Sequence, residues 1–167
     1  SVTDLVTIHG APALVMEFVE GPSLADLLEN YRPTPEQSDL LARDIIKGVA
    51  AAHAHGLIHR DLKPANILIS VTKDGLVPKI ADFGLAKLLE QDVDARRPQT
   101  REGATMGTPA YMAPEQIRDA SSVDERADVF SLGAILYELV TGEICFQGGS
   151  ILDTLDKVCN GDYVAAA

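Results

Sequence analysis

Between residues 59 and 66 the chain reads His59-Arg60-Asp61-Leu62-Lys63-Pro64-Ala65-Asn66, and a second acidic run, Asp82-Phe83-Gly84, follows sixteen residues on. Carboxylates, an amide and a lysine gathered this closely can take a proton, ligate a hard cation and offset anionic charge. Taken singly, each residue has a plainer reading. Asp61 could pair with Arg60, His59 could be a hydrogen-bonded core histidine, and Asp-Phe-Gly is a common loop tripeptide.

The combination is far more specific than its parts. Residues 59–66 match the pattern H-R-D-L-x-x-x-N at every fixed position, and five specified residues, each expected roughly one time in twenty, rarely coincide by chance. Asp82-Phe83-Gly84 and then Ala113-Pro114-Glu115 follow in order. On these motifs the chain resembles the protein kinase family over nearly its whole length. The Lys63-Pro64 pair resembles the serine/threonine branch, and the run Ala127-Asp128-Val129-Phe130-Ser131-Leu132-Gly133 is similar in style to bacterial kinases of the eukaryotic type.

The resemblance implies ATP and Mg2+ as cofactors and protein Ser/Thr side chains as substrates. It makes Asp61 the acceptor of the substrate hydroxyl proton, Lys63 the contact to the transferred phosphate, and Asn66 and Asp82 the metal ligands. Met16 would stand at the gatekeeper position. Backbone groups of Glu17 and Val19 would meet the adenine edge, with Leu68 as the floor beneath the ring. His59 would be structural, beside Phe83. Arg60 would pair with a phosphorylated residue of the long loop, Thr105 being favoured over Thr100. Thr108 would bridge Asp61 and Lys63. Glu115 closes the activation segment, and Asp128 would anchor the catalytic-loop backbone from a central helix, where an unpaired carboxylate would be costly. Two positions depart tolerably from the family: Phe130 where Trp is frequent, and Cys145 where Pro is. The remaining histidines, His9, His53 and His55, are expected to be structural or exposed rather than metal ligands.

The elements that must position these residues are legible from periodicity. Residues 5–8 and 13–19 read as short strands joined by a turn over 9–12. Ser23 with Asp26 starts a helix that stops near Tyr31. Thr34, Pro35 and Gln37 start a longer one with Leu41, Ile45, Val49 and Ala52 on one face, and Gly56 follows as its stop. Residues 57–58, 67–69 and 77–80 are short apolar runs among turns, and 85–112 is polar and irregular, a length usually functional or disordered in a compact domain. A helix over 124–140, apolar nearly all round, should lie buried in the middle, and a last helix covers 150–159.

The expected class is therefore α+β: a protein-kinase-like fold, mostly the helical large lobe (20–167, truncated at its C-terminal end), with a remnant of the small-lobe sheet and the hinge over 1–19. The glycine-rich loop, strand lysine and helix glutamate of the family are absent, as is the arginine that usually pairs with the glutamate at Glu115. The small lobe is expected upstream in a longer parent, and the 167-residue piece is expected to be inactive alone. A pseudokinase or a binding module on the kinase scaffold is the competing reading; intact Asp61, Asn66 and Asp82 speak against it. A small-molecule phosphotransferase is weakened by Arg60, Lys63 and the Ala-Pro-Glu run.

Composition sets the outer bounds. At 167 residues, 46% hydrophobic and 23% charged, the chain suits one globular domain. A net charge of −11 offers no basic footprint for nucleic acid. Cys145 and Cys159 lack C-x-x-C spacing, which fits reduced thiols and a cytoplasmic setting. The start has no signal-peptide pattern, and the longest apolar run, 129–140, falls short of a bilayer span.

Overall fold

The structure, a computed structural model, describes residues 2–8, 11–73, 75–83, 109–119, 123–163 and 165. It opens with β1 (Val2–Ile8) paired antiparallel to β2 (Ala11–Met16), with Ile8 opposite Ala11 and Val2 opposite Met16. Pro12 sits inside β2 opposite Thr7, so the reversal is tighter than the expected turn over 9–12; His9 and Gly10 themselves lie outside the described residues. The strand stops at Met16, three residues earlier than the apolar run suggested, and residues 17–20 form an irregular link.

That link is tied to the rest of the chain at once. Ile69 N–H donates to the Pro22 carbonyl at 2.8 Å, and Ser23 forms a bridge with Leu68. Gly21 makes the close approach possible: its φ is +154°, and a Cβ there would lie 1.9 Å from the Ile69 carbonyl oxygen. Helix α1 (Leu24–Asn30) then starts on a reciprocal cap, with Asp26 N–H donating to Ser23 Oγ and Ser23 N–H donating to Asp26 Oδ2, both at 3.1 Å. Helix α2 (Pro35–His53) repeats the device with Thr34 and Gln37. The face of α2 that carries Ser38, Leu41, Ile45 and Val49 is buried. A Cβ on Gly48 would meet Ile80 Cδ1 at 2.9 Å, so the small residue lets the second sheet lie close against α2.

That sheet is β3 (Ile67–Thr72) antiparallel to β4 (Gly75–Ile80), entered through a 3-10 turn at Pro64–Asn66. Of the short apolar runs, residues 57–58 form no strand: Leu57 N–H closes the end of α2 onto the Ala52 carbonyl at 3.0 Å, and its side chain is exposed. After a 3-10 turn at Pro109–Tyr111 comes α3 (Pro114–Arg118), a short helix that periodicity could not have shown in five residues. Helix α4 (Arg126–Thr141) runs through the centre, ending at left-handed Gly142, and α5 (Ile151–Asn160) follows with Ser150 as its cap.

One core joins Leu24 and Leu41, Ile45 and Val49 of α2, Ile67 and Ile69 of β3, and Ile135 and Leu139 of α4. Helix α4 is not buried all round as its composition implied. Val129, Gly133 and Val140 form an exposed stripe at spacings of four and seven, while Ala127, Asp128, Ser131, Leu132 and Ile135 face inward. Its inward polar groups are satisfied: Ser131 Oγ donates to the Tyr111 carbonyl at 2.7 Å, and Ser38 Oγ of α2 donates to the Leu139 carbonyl at 3.1 Å. Among the described residues, no helix is long and apolar enough to cross a membrane.

Candidate active site

The loop between α2 and β3 is shaped from below by Asp128, which is 1% exposed near the start of α4. Oδ2 accepts from His59 N–H at 2.8 Å and from His53 Nε2 at 2.7 Å, and Oδ1 accepts from Arg60 N–H at 2.8 Å. A buried carboxylate is tolerable only when fully paired, and three donors meet that demand. The backbone it grips is unusual, because Arg60 has φ of +65°, in the left-handed region that non-glycine residues avoid. Such a conformation costs of order 1–3 kcal/mol, so the hydrogen bonds to Asp128 help hold the loop in a shape it would not choose alone.

His59 lies wholly within this frame. Its Nε2 donates to the Ala81 carbonyl at 2.8 Å, which leaves Nδ1 to accept from Asp61 N–H at 3.3 Å, and its ring sits 4.9 Å from that of Phe83. The loop beneath Asp61 is thereby joined to the segment that carries Asp82. Asp82 is itself left-handed, at φ +58°.

Asp61 projects outward, its side chain 59% exposed, and its Oδ2 accepts from Lys63 Nζ at 2.7 Å and from Asn66 Nδ2 at 3.2 Å. Asn66 Nδ2 also donates to the Asp61 carbonyl at 2.8 Å. With the Asn66 nitrogen so committed, its amide oxygen remains to act as an acceptor or ligand. Asn66 precedes β3 and Asp82 follows β4; Ile67 pairs with Ile80, and Ala81 N–H donates to the Asn66 carbonyl at 2.9 Å. The open end of the hairpin therefore brings Asn66 and Asp82 to one end of the sheet. An amide oxygen and a carboxylate are hard donors suited to Mg2+, which takes one or two protein oxygens and completes its shell with water and phosphate. Among the described residues, no cluster of three His, Cys, Asp or Glu offers an all-protein metal cage.

On the hinge side, Met16 ends β2 half-exposed, Val19 is partly buried, and Leu68 lies on β3 where Ser23 bridges it. The Glu17 carboxylate takes a hydrogen bond from Lys79 Nζ of β4; that bond, with the lysine's charge, holds it below the usual carboxylate range. The link over 17–22 is thus tied to the β3–β4 hairpin through a side-chain pair as well as the backbone. Glu115 is partly buried in the first turn of α3. Thr100, Thr105 and Thr108 lie outside the described residues.

His53, expected to be structural or exposed, is structural and supplies a donor to Asp128. Two further contributors carry no signal in the sequence. Gln116, one residue beyond Ala-Pro-Glu, donates from Nε2 to the Arg60 carbonyl at 2.6 Å. Glu138, read as a break in an apolar run, accepts from Tyr111 Oη at 2.5 Å. Burial raises both of these acids: the Tyr111 hydroxyl goes up through desolvation and its bond to Glu138, and the Glu138 carboxyl goes up through desolvation that outweighs that same bond. No periodicity marks any of the three, because each works across a long sequence separation. Tyr111 and Glu138 also line a groove of about 1050 Å³ that opens beside Lys63 and Pro64.

A left-handed loop held by a buried aspartate carries a carboxylate–lysine–amide group that faces solvent. The chain matches the family described as "Protein kinase domain" over residues 2–164, and it belongs to the protein kinase family. It is 46% identical over 157 residues to the serine/threonine-protein kinase PknL of Mycobacterium tuberculosis, a match covering 93% of this chain and 37% of that protein. It is 42% identical over 157 residues to the serine/threonine-protein kinase PkaA of Streptomyces coelicolor (93% of this chain, 28% of that one). With PknB of Mycobacterium tuberculosis, also named a serine/threonine-protein kinase, it shares 42% over 140 residues (83% of this chain, 21% of that one). The chain thus spans between 21% and 37% of the length of these relatives.

Proposed function

We propose that the gene product carrying this chain transfers the γ-phosphate of ATP to serine or threonine hydroxyls of protein substrates. The observation that carries the reading is the Lys63–Asp61–Asn66 arrangement: one carboxylate oxygen is held by an ammonium and an amide while the residue stays open to solvent. Since Oδ2 is engaged by both neighbours, Oδ1 is the atom left to take the hydroxyl proton as the substrate oxygen bonds to phosphorus. Lys63 places its positive charge where the transferred group passes, and the remaining Asn66 oxygen and Asp82 are positioned as ligands for Mg2+. ATP supplies the phosphoryl group, and the metal neutralises charge on its oxygens. Met16, Glu17, Val19 and Leu68 would form the adenine site, and the groove beside Lys63 gives a protein segment room to lie against the acceptor position.

In this reading residues 1–19 belong to the small lobe and hinge and 20–167 to the large lobe. Arg60 would order a phosphorylated Thr105, Thr108 would bridge Asp61 and Lys63, and the site would operate in the cytoplasm, a setting consistent with the unpaired Cys145 and Cys159.

The test is ATP-dependent phosphorylation of a generic basic protein by the full-length gene product, with Asp61→Asn as control. Loss of a general base is expected to lower kcat about 10²–10⁴-fold. Equal turnover by both proteins, or transfer to a small alcohol in preference to protein, would remove this reading.

A further inference from the structure

The peptide on either side of Arg60 is fixed from two directions. Its N–H is held by Asp128 Oδ1 of α4, and its carbonyl accepts from Gln116 Nε2 of α3 at 2.6 Å. That carbonyl belongs to the peptide group whose nitrogen is Asp61's, so its direction fixes the plane from which the Asp61 side chain projects. The same peptide's N–H faces His59 Nδ1 at 3.3 Å, a long and weak contact compared with the one at the oxygen. The bond from Gln116 is therefore the stronger restraint on that plane.

Gln116 is itself rigidly placed. Its Oε1 accepts from Ala113 N–H at 2.9 Å, and its own N–H donates to the Ala113 carbonyl at 2.9 Å, so the amide is oriented before it reaches Arg60. Arg60, Asp61, Lys63, Tyr111, Gln116 and Ser131 also line one small cavity of about 20 Å³, so Gln116 borders the same space as the residues of the site. One side chain thus joins the helix begun by Ala113-Pro114-Glu115 to the loop that carries Asp61. With φ of +65° at Arg60, that loop relies on such outside support.

We propose that Gln116 is a positioning residue for Asp61, and that it makes the orientation of the base depend on the seating of α3. The inference rests on the phosphoryl-transfer reading and adds to it a route by which rearrangement at the end of the activation segment reaches the base. Both halves of the amide are needed. The oxygen caps Ala113, and the N–H2 donates to Arg60.

The substitution Gln116→Glu separates the two roles, because a carboxylate still caps Ala113 but presents an acceptor to the Arg60 carbonyl. Gln116→Met keeps the length and loses both. In the full-length gene product, kcat is expected to fall about 10–100-fold in Gln116→Glu with KM for ATP unchanged and Tm preserved, the size of loss expected when a catalytic group is misplaced by about 1 Å. Gln116→Met should lose kcat comparably. In the same proteins the Arg60 carbonyl carbon and Asp61 amide nitrogen NMR signals should move, while the Asp128-bound amides of His59 and Arg60 stay. Wild-type kcat in Gln116→Glu, or a loss that merely follows Tm across the two variants, would overturn the proposal. If the wild-type protein transfers no phosphate, the proposed activity fails instead, and the Arg60 carbonyl signal alone decides whether Gln116 holds the loop.

Discussion

His53 Nε2 lies 2.7 Å from Oδ2 of Asp128, so the last residue of α2 shares a buried carboxylate oxygen with the backbone of the catalytic loop. Replacing it tests how much the third donor contributes. A hydrogen bond to a charged group is worth about 1.5–3 kcal/mol, and His53→Leu should lower unfolding stability by that amount. His53→Gln, which keeps a donor at similar reach, should recover most of it. Urea unfolding of the three proteins, compared at constant m, is the measurement.

Asp128→Ala removes the acceptor for three donors at once. Two are backbone N–H groups, one of them on His59, which is fully buried, and Asp128 itself is nearly so. Removing one partner from a buried charged cluster typically costs about 3–5 kcal/mol, and that loss is expected here. Amide exchange at residues 59 and 60 should accelerate well beyond that at core residues of α2 such as Ile45.

Glu138 predicts a pH dependence with a definite sign. Its folded pKa is raised by desolvation above the ordinary 4.5, so between 4.5 and that higher value the folded chain binds more protons than the unfolded one. Stability contributed by this group is therefore full below 4.5 and is lost as pH rises through the folded value. Glu138→Gln keeps an acceptor for Tyr111 Oη and removes the titration. The wild-type denaturation midpoint should fall relative to that of the variant as pH rises above 4.5, and the difference should level off once Glu138 is ionised. A difference constant from acid to neutral pH would contradict the assignment.

Glycines at two junctions should differ in sensitivity. At Gly21 a Cβ meets backbone 1.9 Å away, which cannot move without breaking the tie between the hinge and β3. At Gly142, φ +68°, the Cβ would meet the Arg32 guanidinium at 1.1 Å, but that is the end of a flexible side chain. Gly21→Ala is expected to cost about 2–4 kcal/mol. Gly142→Ala should cost about 1–2 kcal/mol, mainly from the left-handed backbone and the lost bond from Arg32 Nη1 to the Thr141 carbonyl. Calorimetric Tm values for the two alanine variants would give the ranking.

The helices that scaffold the site were largely readable, because their signals are local. Ser23 with Asp26, and Thr34 with Gln37, form the reciprocal caps that their spacing implied, and the Leu41–Ile45–Val49 face is buried. The misreadings share a cause. A run of apolar residues at 124–140 does not say which side meets solvent, so the exposed Val129–Gly133–Val140 stripe was missed; helix α3 is too short to show a period. The motif residues 59–66 and 82–84 stand out by composition, but their shape does not. The left-handed Arg60 is held by contacts with distant segments, and the parts played by His53 and Gln116 likewise span long separations; the left-handed Asp82 has no sequence signal either.

The distance along the chain between Asp128 and the amides it holds has a consequence for synthesis. The bonds to His59 and Arg60 span 69 and 68 residues, and a polypeptide emerging from the ribosome adds about 5–20 residues per second. For several seconds the growing chain carries every atom of the loop that bears Asp61 without the carboxylate that shapes it. Until α4 has emerged and docked, the nascent lobe lacks the contacts that orient the base. Docking of the central helix is therefore the step that completes the hydrogen bonding of the His59 and Arg60 amides.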